Sequence, residues 1–218
     1  MLSLRNGRFV SGRVYYGQLG EDEHIHKRYF PSTRNGVFLE MGALDGVKYS
    51  NTKFFEDRLG WTGVLIEPIP SSFSDLRKNR PNAISYQLAI SKTEGELEIY
   101  VNDAVSSLKQ NTSDEFFDGW HKGRDVPVIK VPARRLDSVL RHAGVKRIDF
   151  WSLDIEGSEY EALETMDWSI PVYLICIETQ TDSRKERCEK ILLANGFVFS
   201  ETLHHNEIWI NPTHHKKE

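Results

Sequence analysis

Cysteine is nearly missing from this chain, with two residues, Cys176 and Cys188, in 218. A lone pair gives no disulfide framework, and Cys176 inside "VYLICIE" reads as a small core hydrophobe. A reducing compartment, the cytoplasm, is the expected setting. Long apolar runs are absent too. No stretch approaches the roughly 20 residues that a membrane-spanning helix needs, and the opening "MLSLRNGRFVSG" lacks the continuous apolar region of a secretory signal. Nor is positive charge in excess. Against 28 Lys and Arg stand 32 Asp and Glu, a net charge of -4, which argues against holding nucleic acid by bulk electrostatics. Basic residues gather only at the ends, at Arg5, Arg8, Arg13 and the terminal "HHKKE", and such runs read as solvated tails. Internal repeats and low-complexity segments are also lacking. The expectation is a cytosolic protein, or a domain cut from a longer one.

What is present is regular punctuation. Hydrophobic residues make up 39% and aromatics 11%, enough for a real core in one α/β domain. "VFLEM", "TGVLIEP", "AISYQLAI", "ELEIYV", "VPVIKVPA", "IDFWSLD" and "VYLICIE" read as strands, and "GFVFSE" with "NEIWIN" as a closing antiparallel pair. Between them, "SNTKFFEDRLG", "SSFSDLRKN", "RRLDSVLRHAG", "SEYEALETM" and "SRKERCEKILLANG" read as helices, three of them closed by Gly60, Gly144 and Gly196. Ser158 and Glu161 have the spacing of a capping box. Alternating strands and helices predict a doubly wound, Rossmann-like α/β sheet. It should be mostly parallel with an antiparallel C-terminal strand pair, over residues 34–218, behind an N-terminal extension of residues 1–33.

In such a sheet the ligand lies beyond the carboxyl ends of the strands, beside the first one. There the sequence places Glu40, Gly42, Asp45 and Gly46 in "GVFLEMGALDG". A dinucleotide pyrophosphate wants G-x-G-x-x-G and a bare helix N-terminus, and this chain has G-x-x-x-G flanked by two acids. Acids attract a cation instead, and S-adenosylmethionine, with a sulfonium and an ammonium, is such a ligand. Glu67, at the tip of the next strand in "GVLIEP", sits where a carboxylate can take both ribose hydroxyls. Ala89 and Ile90 could flank the adenine, although an ordinary strand end has nearly the same appearance.

These blocks resemble the FkbM-type methyltransferases, a class I S-adenosylmethionine-dependent family. The resemblance runs from "YGQLGEDEHI" to the final hairpin and rests on E-x-G-x-x-x-G, "SNT", G-W-x-G-x-x-I-E-P and D-x-E-G-x-E. It implies a methyltransferase of hydroxyl groups on sugars, glycans and polyketide-type products. It assigns Glu40, Gly42, Ala43, Asp45 and Gly46 to the methionine-end loop, Glu67 and Pro68 to the ribose, and Ala89 and Ile90 to the adenine. Asn51 would touch the methionine carboxylate, with Ser50 and Asn51 as plain helix caps the alternative. The segment "YGQLGEDE", with Gln18 and Asp22, would cover the cofactor. A glycosyltransferase neighbour in a larger polypeptide would fit a sugar acceptor.

Methyl transfer to a hydroxyl needs a base, or a metal, beside the acceptor oxygen. Asp154, at a strand tip in "LDIEGSE", and Glu178, at the neighbouring tip in "ICIETQ", are the candidates, with Glu156 close by. They could act as general base or together bind Mg²⁺ or Mn²⁺; two acids without a third ligand make an incomplete octahedral site, which favours the base. For Glu156, helix N-terminal stabilisation is the bland alternative. Ser106, Ser107, Trp120, His204 and His205 are the acceptor-side candidates; Phe116, Phe117 and Trp120 would otherwise pack a helix face, and paired loop histidines are ordinarily solvated. His24, His26, His121 and His142 have no constellation around them. The reading is an S-adenosylmethionine-dependent O-methyltransferase of a sugar or glycan hydroxyl. Its alternatives are a methyltransferase of another small molecule or of nucleic acid, a nucleotide-dependent oxidoreductase, and a binding module without chemistry.

Overall fold

A computed structural model of the protein describes residues 2–5, 8–11, 14–179 and 181–214. The basic tail "HKKE" at 215–218, Arg13 and the side chains of Arg5 and Arg8 lie outside that description. A short antiparallel pair, β1 (Leu2–Arg5) and β2 (Arg8–Ser11), precedes helix α1 (Glu21–Tyr29). The main sheet then begins with β3 (Val37–Met41), α2 (Lys53–Leu59), β4 (Thr62–Ile66), α3 (Pro70–Asn79) and β5 (Ile84–Tyr86). After an excursion it resumes with α5 (Leu136–Ala143), β10 (Ile148–Leu153), α6 (Glu159–Glu164), β11 (Val172–Glu178), α7 (Asp182–Ala194), β12 (Val198–Leu203) and β13 (Asn206–Ile210).

Seven strands pair in the order β12-β13-β11-β10-β3-β4-β5. The five from β11 to β5 are parallel, while β13 and β12 close the edge antiparallel, as the sequence predicts. Buried parallel strands need apolar residues on both faces, and the period of two sorts them. Leu39, Met41, Trp151, Leu153, Ile175 and Ile177 pack with Leu136, Leu140, Leu163, Cys188 and Leu192 on one side. Phe38, Leu65, Phe150, Leu174 and Cys176 meet Ile25, Phe30, Phe55, Leu59 and Trp61 on the other. The two free cysteines therefore belong to opposite faces of the sheet. Helix α5 ends as its glycine predicts, with Gly144 left-handed at φ 69 and its N–H returned to the last turn.

The excursion departs from the expected single sheet. "AISYQLAI" breaks in two: Ile84–Tyr86 ends the main sheet, and β6 (Ala89–Ile90) opens a second one. With β7 (Gly95–Tyr100), β8 (Ser107–Leu108) and β9 (Val128–Arg134) it forms four strands in the order β6-β9-β7-β8, and helix α4 (Asp114–Trp120) lies between β8 and β9. The physical reason is in the pattern. β7 and β9 alternate buried and exposed residues, so each has only one face to bury, and Ile69, Ala89, Ile99, Leu108 and Val131 form that small core. Such strands cannot sit inside a sheet covered on both sides. They instead form a wall standing beside its carboxyl edge.

Candidate active site

The carboxyl ends of β3, β4, β10 and β11 open into a cavity of about 470 Å³. The strand tips contribute Glu40, Gly42, Leu44, Glu67, Pro68, Ser152, Asp154 and Glu178. The second sheet adds Leu88, Ala89, Ile90, Ile99 and Leu108, and the N-terminal segment adds Gln18, Leu19 and Glu21. Tyr49, Asn51, Asp103–Ser106, Trp120, Glu156 and His205 are also part of the wall. Seven of the lining side chains are carboxylates and none is Lys or Arg. That chemistry suits a cationic ligand.

Glu40 answers for its place at the end of an apolar strand in an unexpected way. Its carboxylate accepts hydrogen bonds from Ser50 Oγ (2.9 Å), Thr52 Oγ1 (2.6 Å) and the amide of Asn51 (2.8 Å), and lies 3.6 Å from Arg80 Nη1. Arg80, fully buried, also pairs with Glu56 and donates to the Gly46 carbonyl (3.1 Å). The S-N-T segment is thus clamped between β3 and α3 by one acid, most of whose partners gather on Oε2. Nothing in "NRPNA" marks Arg80 as buried, because an arginine before proline usually reads as surface. Asn51 sits on the cavity wall, donating from Nδ2 to Ser152 Oγ (3.1 Å), while its Oδ1 is buried without a partner. An orphan acceptor of this kind wants a donor from a ligand.

Glu67 is held just as rigidly but keeps capacity. Its two oxygens accept the amides of Leu44 (2.9 Å) and Ile69 (2.8 Å), one each, which leaves lone pairs toward the cavity it lines. Burial outweighs those bonds and raises its pKa to about 7.

Asp154 and Glu178 follow Leu153 and Ile177, which are partners in the parallel register of β10 and β11, so the two acids emerge side by side. Loss of solvent, then repulsion from Glu21 and Glu40, raises the Asp154 pKa to about 6. Glu178 is pushed to about 8 by loss of solvent and by Asp154, Glu159 and Glu21. These are the values of groups that can exchange a proton near neutrality. Behind them Glu159, buried, accepts the amides of Ile155 (3.1 Å) and Gly157 (3.0 Å) through Oε1.

Several sequence-based expectations need correction. Ala43, Asp45 and Gly46 do not line the cavity. Ala43 belongs to the core, Asp45 Oδ1 accepts the amides of Val47 (2.8 Å) and Lys48 (2.7 Å), and a side chain at Gly46 would meet Arg80. At Gly42, with φ 78, a Cβ would strike the carbonyl of Asp154, so the glycine permits two strand tips to touch. Asp22 does not reach the cavity; it is buried and binds the amides of Tyr16 (2.6 Å) and Glu23 (2.9 Å). Ser107 is buried too, bonded to Thr112 Oγ1 (2.8 Å) and His121 Nε2 (3.2 Å), whereas Ser106 lines the cavity. His121 therefore does have a constellation, a structural one. His204 occupies a left-handed turn position (φ 58) away from the wall that His205 joins. Phe117 packs on Tyr100 and His121, while Trp120, 47% exposed, stands at the rim. No capping box forms: Ser158 accepts from Asn111 Nδ2 (2.8 Å) and makes no cap bond. Among the described residues no three His, Cys, Asp or Glu side chains are grouped to hold a metal ion.

Parallel strands in this order with an antiparallel edge pair have the fold of class I methyltransferases, and the acid-lined cavity lies at their strand tips. The model of the methyltransferase FkbM domain matches residues 40–207, and the chain belongs to that family of S-adenosylmethionine-dependent methyltransferases. Among solved structures it is similar to the FkbM methyltransferase of Methylobacillus flagellatus KT, at 15% identity and a TM-score of 0.52, over 87% of this chain and 50% of that one. It is also similar to fibrillarin of Aeropyrum pernix, solved with natively bound S-adenosyl-L-methionine, at 14% identity and a TM-score of 0.51, over 94% and 79% of the two chains. At such identities the likeness speaks for the fold. No curated protein matches the sequence. Among the described residues no helix is long and apolar enough to cross a membrane.

Proposed function

We propose that the enzyme methylates a hydroxyl group of a sugar or glycan, with Glu178 or Asp154 taking the hydroxyl proton. S-Adenosylmethionine, when bound, supplies a methyl group on a positively charged sulfur. Glu67 would hold the ribose hydroxyls, Ala89 and Ile90 the adenine, and Glu21 with Asn51 Oδ1 the ammonium end; Gln18 and Leu19 would exclude water from above. The observation that carries the reading is the pairing of Asp154 and Glu178 at adjacent strand tips in the same cavity as Glu67.

A positive charge brought beside Glu178 lowers its pKa, so the carboxylate becomes a competent base at neutral pH only in the loaded enzyme. Trp120, exposed at the rim, would offer the flat apolar surface on which a sugar ring rests. The test is transfer of labelled methyl to a panel of oligosaccharides and to non-sugar alcohols, with and without EDTA. Asp154→Asn and Glu178→Gln should each slow turnover about 10²–10⁴-fold and keep affinity for S-adenosylhomocysteine, which is neutral at sulfur. Chelator-sensitive turnover restored by Mg²⁺ or Mn²⁺ would replace the base by a metal, and label on a non-sugar acceptor alone would remove the sugar.

A further inference from the structure

The loop 154–158 carries two of the cavity's acids, and its conformation is not one a chain adopts by default. Glu156 and Gly157 are consecutive left-handed residues, at φ 52 and φ 103. For glutamate that region is uncommon and persists only where the surroundings dictate it. The surroundings are specific. Glu159 turns back from the start of α6, and its Oε1 takes the amides of Ile155 and Gly157 together, one on each side of Glu156. Its Oε2 is buried without a partner. A buried carboxylate with one idle oxygen is costly for mere packing; the residue is there for the two amides.

We propose that Glu159 is a positioning residue for methyl transfer, the strut that fixes the 154–157 loop so that Asp154 and Glu156 face the cavity. Asp154 and Glu178, on the cavity side, and Cys188, from α7, lie within reach of its charge. Outside the loop, Asn111 ties down Ser158 and Arg184 binds the Asn111 carbonyl, so the loop is anchored on its far side without Glu159. Glu159 itself holds the inner turn, through the amides of Ile155 and Gly157. The acid is needed for its acceptor oxygen, not its charge, so glutamine, with the same shape and the same acceptor, replaces it.

This inference rests on the reading that Asp154 and Glu178 face the transferred methyl, and the test separates the two. The probes are S-adenosylhomocysteine, neutral at sulfur, and sinefungin, which carries an ammonium where the methyl would be. In the unaltered enzyme sinefungin should bind about tenfold or more tighter, because its ammonium meets those carboxylates. Glu159→Ala should bring the two affinities to within about twofold with S-adenosylhomocysteine still bound, and Glu159→Gln should restore the preference. Equal affinities in the unaltered enzyme would overturn the reading of Asp154 and Glu178, and this inference with it. A preference that survives in Glu159→Ala would overturn the strut alone. So would parallel loss of both ligands in Glu159→Ala and Glu159→Gln, which would mark a residue needed only for folding.

Discussion

Strand tips along one edge of the sheet treat the same functional group in opposite ways. At β3, Glu40 is surrounded by three hydrogen-bond donors and a buried guanidinium. At β10 and β11, Asp154 and Glu178 face each other's charge, with proton affinities well above those of ordinary carboxylates. The difference teaches what each acid is for. A carboxylate ringed by donors and a buried cation holds a loop in shape. A carboxylate left short of donors beside another acid stores repulsion that a cation relieves and that proton transfer can use.

The most disruptive change is the one that pushes the two tips apart. Gly42→Val combines a β-branched residue at φ 78 with a collision against the Asp154 carbonyl. It should cost more than about 4 kcal/mol and leave little folded protein, read by circular dichroism and soluble yield. A variant that folds normally but fails to bind cofactor would restore Gly42 as a ligand-contact glycine. Breaking the compensated side should come next. Glu40→Ala leaves buried Arg80 with Glu56 as its one carboxylate and should lower stability by about 3 kcal/mol in urea unfolding, whether or not ligand is present. Loss of cofactor affinity without loss of stability would mean that Glu40 contacts the ligand directly.

Glu67 stands between the two kinds, half satisfied and half free. Glu67→Ala should weaken S-adenosylhomocysteine by about 1.5–3 kcal/mol in titration calorimetry. Unchanged affinity would take the ribose away from it. The smallest effect sharpens the unsatisfied side through pH. The Glu178 pKa is raised on folding from 4.5 to about 8, so the folded state holds its proton more tightly than the unfolded chain. Its contribution to stability is greatest below pH 4.5 and is lost as pH rises toward 8. Melting temperature should therefore fall across that window, and Glu178→Gln should flatten the fall. A melting curve equally steep in Glu178→Gln would assign the titration to Asp154, Glu67 or Glu159 instead.

Much of this was legible in the chain. The continuous apolar runs of "VFLEM", "IDFWSL" and "VYLICI" specify strands buried on both faces, and acids following such runs necessarily emerge at the sheet's carboxyl edge. Glu67, Asp154 and Glu178 were visible for that reason, as was the hairpin at the end. Less legible was anything that depends on a partner distant in sequence. Ser107 looks like a hydroxyl on an exposed turn until β7 and α4 close over it, and Ser158–Glu161 looks like a capping box until Asn111 takes the serine.

The sequence by itself determined the buried parallel strands, their alternation with helices, and the acids at their tips, because local periodicity dictates which residues must be buried and where each run must end. The tertiary structure alone decided which of those acids are neutralised. Arg80 arrives at Glu40 from 40 residues away, and Glu178 reaches Asp154 only because β11 lies beside β10. Charge compensation acts through space, at a few ångströms, and a linear chain carries no record of those distances until it folds.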